Sequence, residues 1–301
     1  MAFFKPLPLI FASLLGATST AAEVTVETAT GEMTVAAPPE RIVALDIAAI
    51  DTLDALDVPV AGVPAPVYVG YLQDAAAQAT QVGSLFEPDF EAIANLAPDL
   101  IIAGGRSSTQ VAPLSEIAPT LDMTIWGDDH IAQALARLEA YGELTGTEEK
   151  AAKLADAFAD KLEKTRTSIT GRGDALIVMT NGPKISAYGA GSRFGWLHRG
   201  LDLPEAAPGV DAQTHGEAIS FEFIAQADPD WLIVIDRASA LGQTSAAASA
   251  TLDNALVAGT TAWRSGQVIH LNAANVYIAG GGIQSMMETL DRMRAGFETG
   301  G

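Results

Sequence analysis

Cysteine is absent from all 301 residues. That excludes disulfide cross-links, thiol catalysis, thiolate-ligated iron–sulfur clusters and a lipid attached through a thioether. Positive charge is scarce: 17 Lys and Arg stand against 37 Asp and Glu, a formal net charge of −20. Such a chain is a poor match for the nucleic-acid backbone and for an anionic bilayer surface. No apolar run beyond the N-terminal segment is long enough to cross a membrane. The motifs of serine hydrolases, zincins, P-loop enzymes and dinucleotide binders are missing as well, so nothing in the chain marks an enzyme. With so few basic residues, every arginine at the end of a strand carries information.

What is present begins with "MAFFKPLPLIFASLLGATSTAAE": one lysine, a short apolar core, then small residues before Glu23. This is the layout of a secretory leader, expected to span residues 1–22 with cleavage near Ala21 or Ala22. Loss of Lys5 with the leader takes the formal charge to about −21. An exported protein without cysteine points to the periplasm, as a monomer with no membrane insertion.

Hydrophobic residues make up 49% of the chain, enough for one large core or two moderate ones. A hairpin pattern, "EVTVETATGEMTVAA", leads into alternating short apolar runs and helical periods. This alternation predicts largely parallel sheets with helices on both faces. "TEEKAAKLADAFADKLEKTRTSI" has no Gly or Pro and predicts a long helix from Glu148 to Ile169, started by a capping box in "TGTEE". The segment "DFEAIANLAPDLIIAGGR", Asp89 to Arg106, returns 131 residues later as "SFEFIAQADPDWLIVIDR", Ser220 to Arg237, with eight of eighteen positions identical. The long helix lies midway between the two copies, as a rigid spacer would. The expected fold is α/β: two Rossmann-like lobes joined by a long inter-lobe helix, with a ligand cleft between them. Lobe one covers 23–145, the linking helix 146–170 and lobe two 171–301.

Each copy ends in an arginine at a strand's carboxyl end, where open α/β sheets gather ligands. Arg106 and Arg237 are therefore candidate ligand contacts, because a guanidinium fork suits planar anionic oxygens. Arg193, in the glycine-rich "YGAGSRFGWLH", is a third, the glycines there allowing close backbone approach or φ > 0. His215 lies in a polar loop and Tyr277 in "LNAANVYIAGGG", before the last helix. Imidazole and a tyrosinate oxygen suit Fe(III), and they could fill vacant positions on iron already held by a chelator. Glu91 and Glu222 occupy matching places near the start of the two repeated helices, on an outer surface.

The segments "ERIVALD", "VGSLFEPDFEAIANLAPDLIIAGGR" and "SFEFIAQADPDWLIVIDR" together resemble periplasmic iron-siderophore-binding proteins of the helical-backbone type, the substrate-binding components of ABC importers. "ISAYGAGSRFGWLH", "TLDNALVAGTTAW" and "GQVIHLNAANVYIAGGG" are similar to the subgroup that takes ferric catecholate siderophores such as petrobactin. The resemblance implies a binding protein with no permanent cofactor, for which Fe(III) arrives within the siderophore. It implies that Arg106, Arg193 and Arg237 face catecholate oxygens, and that His215 and Tyr277 complete the iron shell of a tetradentate siderophore. It also implies that Glu91 and Glu222 dock to the transmembrane permease. The alternative is a haem- or corrinoid-binding transport protein.

Overall fold

The computed structural model describes residues 22–127, 129–210, 216–242 and 250–300. The leader up to residue 21 and His215 lie outside the described residues. Strands β1 (Ala22–Thr28) and β2 (Gly31–Ala37) form the expected antiparallel hairpin, in register from Ala22 opposite Ala37 to Thr28 opposite Gly31. One lobe then holds β3 (Ile42–Ala44), β4 (Gly62–Val63), β5 (Thr80–Gln81), β6 (Leu100–Ala103) and β7 (Thr120–Asp122), parallel throughout, in the order β5-β4-β3-β6-β7. The other holds β8 (Ala175–Asn181), β9 (Lys184–Ala187), β10 (Glu217–Ile219), β11 (Trp231–Asp236) and β12 (Val268–His270), in the order β10-β9-β8-β11-β12. Both orders reverse direction once, between β3 and β6 and between β8 and β11. Ligands of open α/β sheets settle at such a switch point.

Six of the eight pairings in the two lobe sheets are parallel, as expected; in the second sheet β9 alone is reversed, antiparallel to both β8 and β10. The cause is local: only Gly182 and Pro183 separate the paired residues Asn181 and Lys184, and a two-residue turn permits only a hairpin. Gly182, at φ +57°, supplies the left-handed residue this turn needs.

The repeated segment builds the same joint twice. In each lobe a short helix, Phe90–Asn95 or Phe221–Ala227, ends at a residue in left-handed conformation, Ala97 (φ 46°) or Asp228 (φ 39°). The Pro-Asp that follows carries a staple. Asp99 accepts from the amides of Glu40 and Arg41 at 2.6 and 2.8 Å, just before β3, while Asp230 accepts from Asp174 at 3.1 Å, just before β8. Each aspartate thus aligns its own strand, β6 or β11, with the central strand beside it.

The linking helix spans Glu148–Ile169, about 33 Å at 1.5 Å per residue. Its start differs from the expected capping box: the Thr147 hydroxyl bonds to that of Thr145 at 2.9 Å instead of capping an amide. The helix packs between His130–Thr145 and the C-terminal helix Ile283–Thr299. It holds the latter through a Lys161–Asp291 ion pair and a bond from Thr165 to the Leu290 carbonyl.

Central strands are apolar on both faces, as buried parallel strands must be. Val43, Ile101 and Ala103 face one satellite cluster, and Leu176, Leu232 and Val234 another. The alternate residues Ile42, Ile102, Ile177, Ile233 and Ile235 join Phe158 of the linking helix and Met293 of the C-terminal helix in one core that runs through both lobes. The C-terminal helix is also fastened to lobe one. Its orphan amides at Ile283, Gln284 and Ser285 donate to Thr52 and Asp51, on the helix Ile47–Ala55, at 3.2, 2.8 and 3.0 Å. Among the described residues no helix is long and apolar enough to cross a membrane.

Candidate functional site in the cleft between the lobes

A cleft of about 440 Å³ opens at the carboxyl ends of the strands, lined by both lobes and by the segment before the C-terminal helix. Arg106 stands just beyond β6, where Gly105 at φ +53° turns the chain. Arg237 opens the short helix Arg237–Ala240 directly after β11. Arg193 lies in the loop between β9 and the helix Trp196–Arg199. The glycines around it serve close approach, since a Cβ at Gly195 would overlap the Ala190 carbonyl and one at Gly189 would reach 2.8 Å from the Glu205 carboxylate. Positive φ, the other possibility, is not used here: none of Gly189, Gly191 and Gly195 adopts it.

All three arginines converge on Tyr277. Arg106 and Arg193, from opposite lobes, donate to its carbonyl oxygen at 2.8 and 3.2 Å, and their guanidinium carbons lie 4.8 and 4.7 Å from its ring centroid. Arg237 donates through Nε to the phenol oxygen at 3.3 Å and through Nη1 to Asn181 at 3.3 Å. Tyr277 sits in one wide helical turn, Ala274–Ile278, closed by an amide of Ala279 bonding five residues back to Ala274 at 3.0 Å. Such turns recur at functional sites. Among the described residues none of the three arginines is ion-paired with a carboxylate. Their positive charge is thus concentrated, with no ion pair among the described residues, in a strongly acidic protein, the local condition for holding an anion.

The titratable groups respond accordingly. Burial raises the Tyr277 phenol, but the Arg237 hydrogen bond and the charges of Arg106, Arg193 and Arg237 outweigh it and hold its pKa below the usual tyrosine value. Burial, with Arg106 close by, lowers Arg193. Asp46, beyond β3 on the cleft wall, is pushed up to about 6 by burial, with Arg106 pulling the other way.

Asp46, Phe86, Trp126 and His130 also line the cleft, and no motif marks them in the sequence. His130 stacks on Trp196 with ring centroids 6.0 Å apart and planes 7° from parallel, joining the lobes at the cleft floor. Burial, then the Arg193 charge, drives its pKa down to about 4, so it is neutral at physiological pH, and its buried Nε2 has no partner among the described residues. The strand-end rule that selected Arg106 points equally to Asp46 after β3 and Trp126 after β7. The other two described histidines stand elsewhere: His198 is buried, its Nδ1 3.0 Å from the Leu203 carbonyl, and His270 is exposed at the end of β12. Among the described residues no three His, Asp or Glu side chains group to hold a metal.

Glu91 and Glu222 are exposed in the first turns of their helices, behind the caps Asp89 and Ser220. Hydrogen bonds from its own amide and the Ser220 hydroxyl keep Glu222 below the usual carboxylate range.

This geometry has known counterparts. The sequence matches the family described as periplasmic binding protein over residues 42–274. Petrobactin-binding protein YclQ of Bacillus subtilis is 36% identical over 267 residues, covering 86% of this chain and 83% of that protein. Ferric-anguibactin-binding protein FatB of Vibrio anguillarum is 30% identical over 279 residues, 89% of this chain and 86% of that one. The crystal structure of YclQ superposes with a TM-score of 0.86 at 32% identity, over 92% of this chain and 99% of its own. That of the periplasmic catecholate-siderophore binding protein VctP of Vibrio cholerae gives 0.84 at 28%, over 91% and 100%. The two-lobed α/β fold with its long helix is thus shared with these proteins, and the chain belongs to the periplasmic binding protein family.

Proposed function

We propose that this protein captures a ferric catecholate siderophore outside the cytoplasmic membrane and delivers it to the permease of an ABC importer. The observation that carries the reading is the convergence of Arg106, Arg193 and Arg237, from both lobes, on Tyr277. Support comes from relatives: YclQ is named for petrobactin, FatB for ferric anguibactin and VctP for a catecholate siderophore. A tris-catecholate of Fe(III) carries three negative charges, and three guanidiniums offset them; desolvating such an anion without partners would be prohibitive. A two-armed catecholate leaves two coordination positions on its iron. Tyr277 fills one as phenolate, its proton leaving more readily because three cations surround it. His215, outside the described residues, fills the other. No bond of the cargo is made or broken. Glu91 and Glu222, one exposed on each lobe, meet basic residues of the two permease halves.

The test is a titration with the ferric complex of a two-armed catecholate, followed by tryptophan fluorescence and by the visible ligand-to-metal band. Binding is expected, with the band shifted in Tyr277→Phe. A protein that takes up no ferric catecholate overturns the reading; an identical band in the variant removes Tyr277 from the iron. Reversing both Glu91 and Glu222 to Lys should leave that titration unchanged and abolish uptake by cells, and intact uptake would end the docking assignment.

A further inference from the structure

Of the four large apolar side chains that stand most exposed among the described residues, the two most open are Phe86 at 64% and Trp126 at 59%, and both line the cleft. Each leaves apolar ring surface in water that a guest in the cleft would bury. The strand order gives the pair a meaning. Phe86 follows β5 and Trp126 follows β7, the two edge strands of the lobe-one sheet, while Arg106 follows β6 between them. Five strands at their ordinary spacing put the two edges about 19 Å apart. The rings therefore flank the arginine from opposite sides of one opening.

The backbone that carries each ring is held in place. The side-chain amide of Gln133, on the helix His130–Thr145, grips the backbone of Trp126 at both ends: its oxygen accepts from the Trp126 amide at 3.1 Å and its nitrogen donates to the Trp126 carbonyl. Phe86 rides on a tight turn in which the Ser84 hydroxyl accepts from the amides of Phe86 and Glu87 at 3.3 and 3.0 Å, and the Ser84 amide donates back to the Glu87 carbonyl at 2.9 Å. Aromatic side chains on an anchored backbone, one on either side of Arg106, suit a guest with aryl rings outside and anionic oxygens inside.

We infer that Phe86 and Trp126 form an aryl-selective clamp on lobe one, each stacking against one aryl arm of a two-armed ferric chelate, and that they make the protein prefer aryl chelates to aliphatic ones of similar charge. The inference rests on the proposed siderophore capture and adds to it the side chains that select an aryl cargo. Ring stacking plus burial of the exposed faces contributes about tenfold in affinity per ring. The arginines, common to any anionic ferric chelate, contribute no such discrimination.

The experiment compares wild type, Phe86→Ala, Trp126→Ala, the double alanine variant and Trp126→Phe, against the ferric complex of a synthetic two-armed catecholate and against ferric dicitrate, which has no aryl group. Each side chain is exposed, so thermal unfolding should match wild type. Each alanine variant should bind the catecholate about tenfold more weakly and the double variant more weakly still, with dicitrate binding within twofold of wild type. Trp126→Phe should keep catecholate affinity within twofold while losing much of the fluorescence quench. A double variant that binds the catecholate as wild type does, or that loses both chelates equally, overturns the clamp and leaves siderophore capture standing. A wild type that binds no ferric catecholate overturns both.

Discussion

Tyr277 is the residue on which the site turns. Its carbonyl, its ring and its phenol oxygen are each engaged by arginine, so its ionisation reports on all three cations at once. In an absorbance titration of the tyrosinate band, the difference between wild type and Tyr277→Phe should show this phenol ionising below the ordinary tyrosine value of 10.0, whereas Tyr188, driven up chiefly by burial, ionises at about 12. Phenolate is favoured by positive neighbours, so Arg237→Gln should move the Tyr277 transition upward, toward the ordinary value. An unmoved transition would show that the guanidinium does not act on the phenol. The arginines were legible in sequence because basic residues are rare in this chain and two of them close a repeated unit. Phe86 and Trp126 were not, because an aromatic after an apolar run reads as more strand; only its exposure in the fold distinguishes it. His130 was hidden for a related reason: a histidine opening an amphipathic helix looks like a solvated first-turn residue until Trp196, from the other lobe, covers it.

At the scale of elements, the repeated helix–Pro-Asp–strand joint explains how two such different halves present matching edges. Ala97 and Asp228 occupy equivalent left-handed positions, 131 residues apart. A left-handed alanine costs about 1–2 kcal/mol, against about 0.5–1 kcal/mol of extra chain entropy lost by glycine. Ala97→Gly should therefore raise stability by about 0.5–1 kcal/mol in urea unfolding, with cargo affinity unchanged; a destabilised variant would mean that the methyl group's packing outweighs the strain. Both sheets, the hairpin and the limits of the linking helix could be read from apolar periodicity and the placement of Gly and Pro. The antiparallel β9 could not be placed by periodicity, which is blind to strand direction. The two-residue Gly-Pro turn was the available signal. Likewise "TGTEE" offered the residues of a capping box, but the neighbouring Thr145 hydroxyl competes for Thr147.

For the molecule as a whole, the decisive fact is that the inner faces of both sheets share one core and that Asp51 of lobe one holds the start of the C-terminal helix. Burial pushes the Asp51 carboxyl up to about 7, although the Tyr71 hydroxyl and the amides of Gln284 and Ser285 favour its charge; Asp54 adds to the rise. A carboxyl raised in the folded state stabilises the fold fully below about pH 4, and that contribution is lost as pH climbs through about 7, at about 1.4 kcal/mol per pKa unit. Urea unfolding should thus show stability falling between about pH 4 and pH 7 and levelling off above, with a shallower slope in Asp51→Asn; equal slopes would exclude Asp51 as the group responsible. A single core has another outcome, one that concerns traffic. If the halves scarcely move, vacant and laden copies offer the importer almost the same face, and a dock that reads only Glu91 and Glu222 accepts either. Import at fixed iron supply would then climb, peak and decline as the protein is overproduced, because idle couriers crowd the gate.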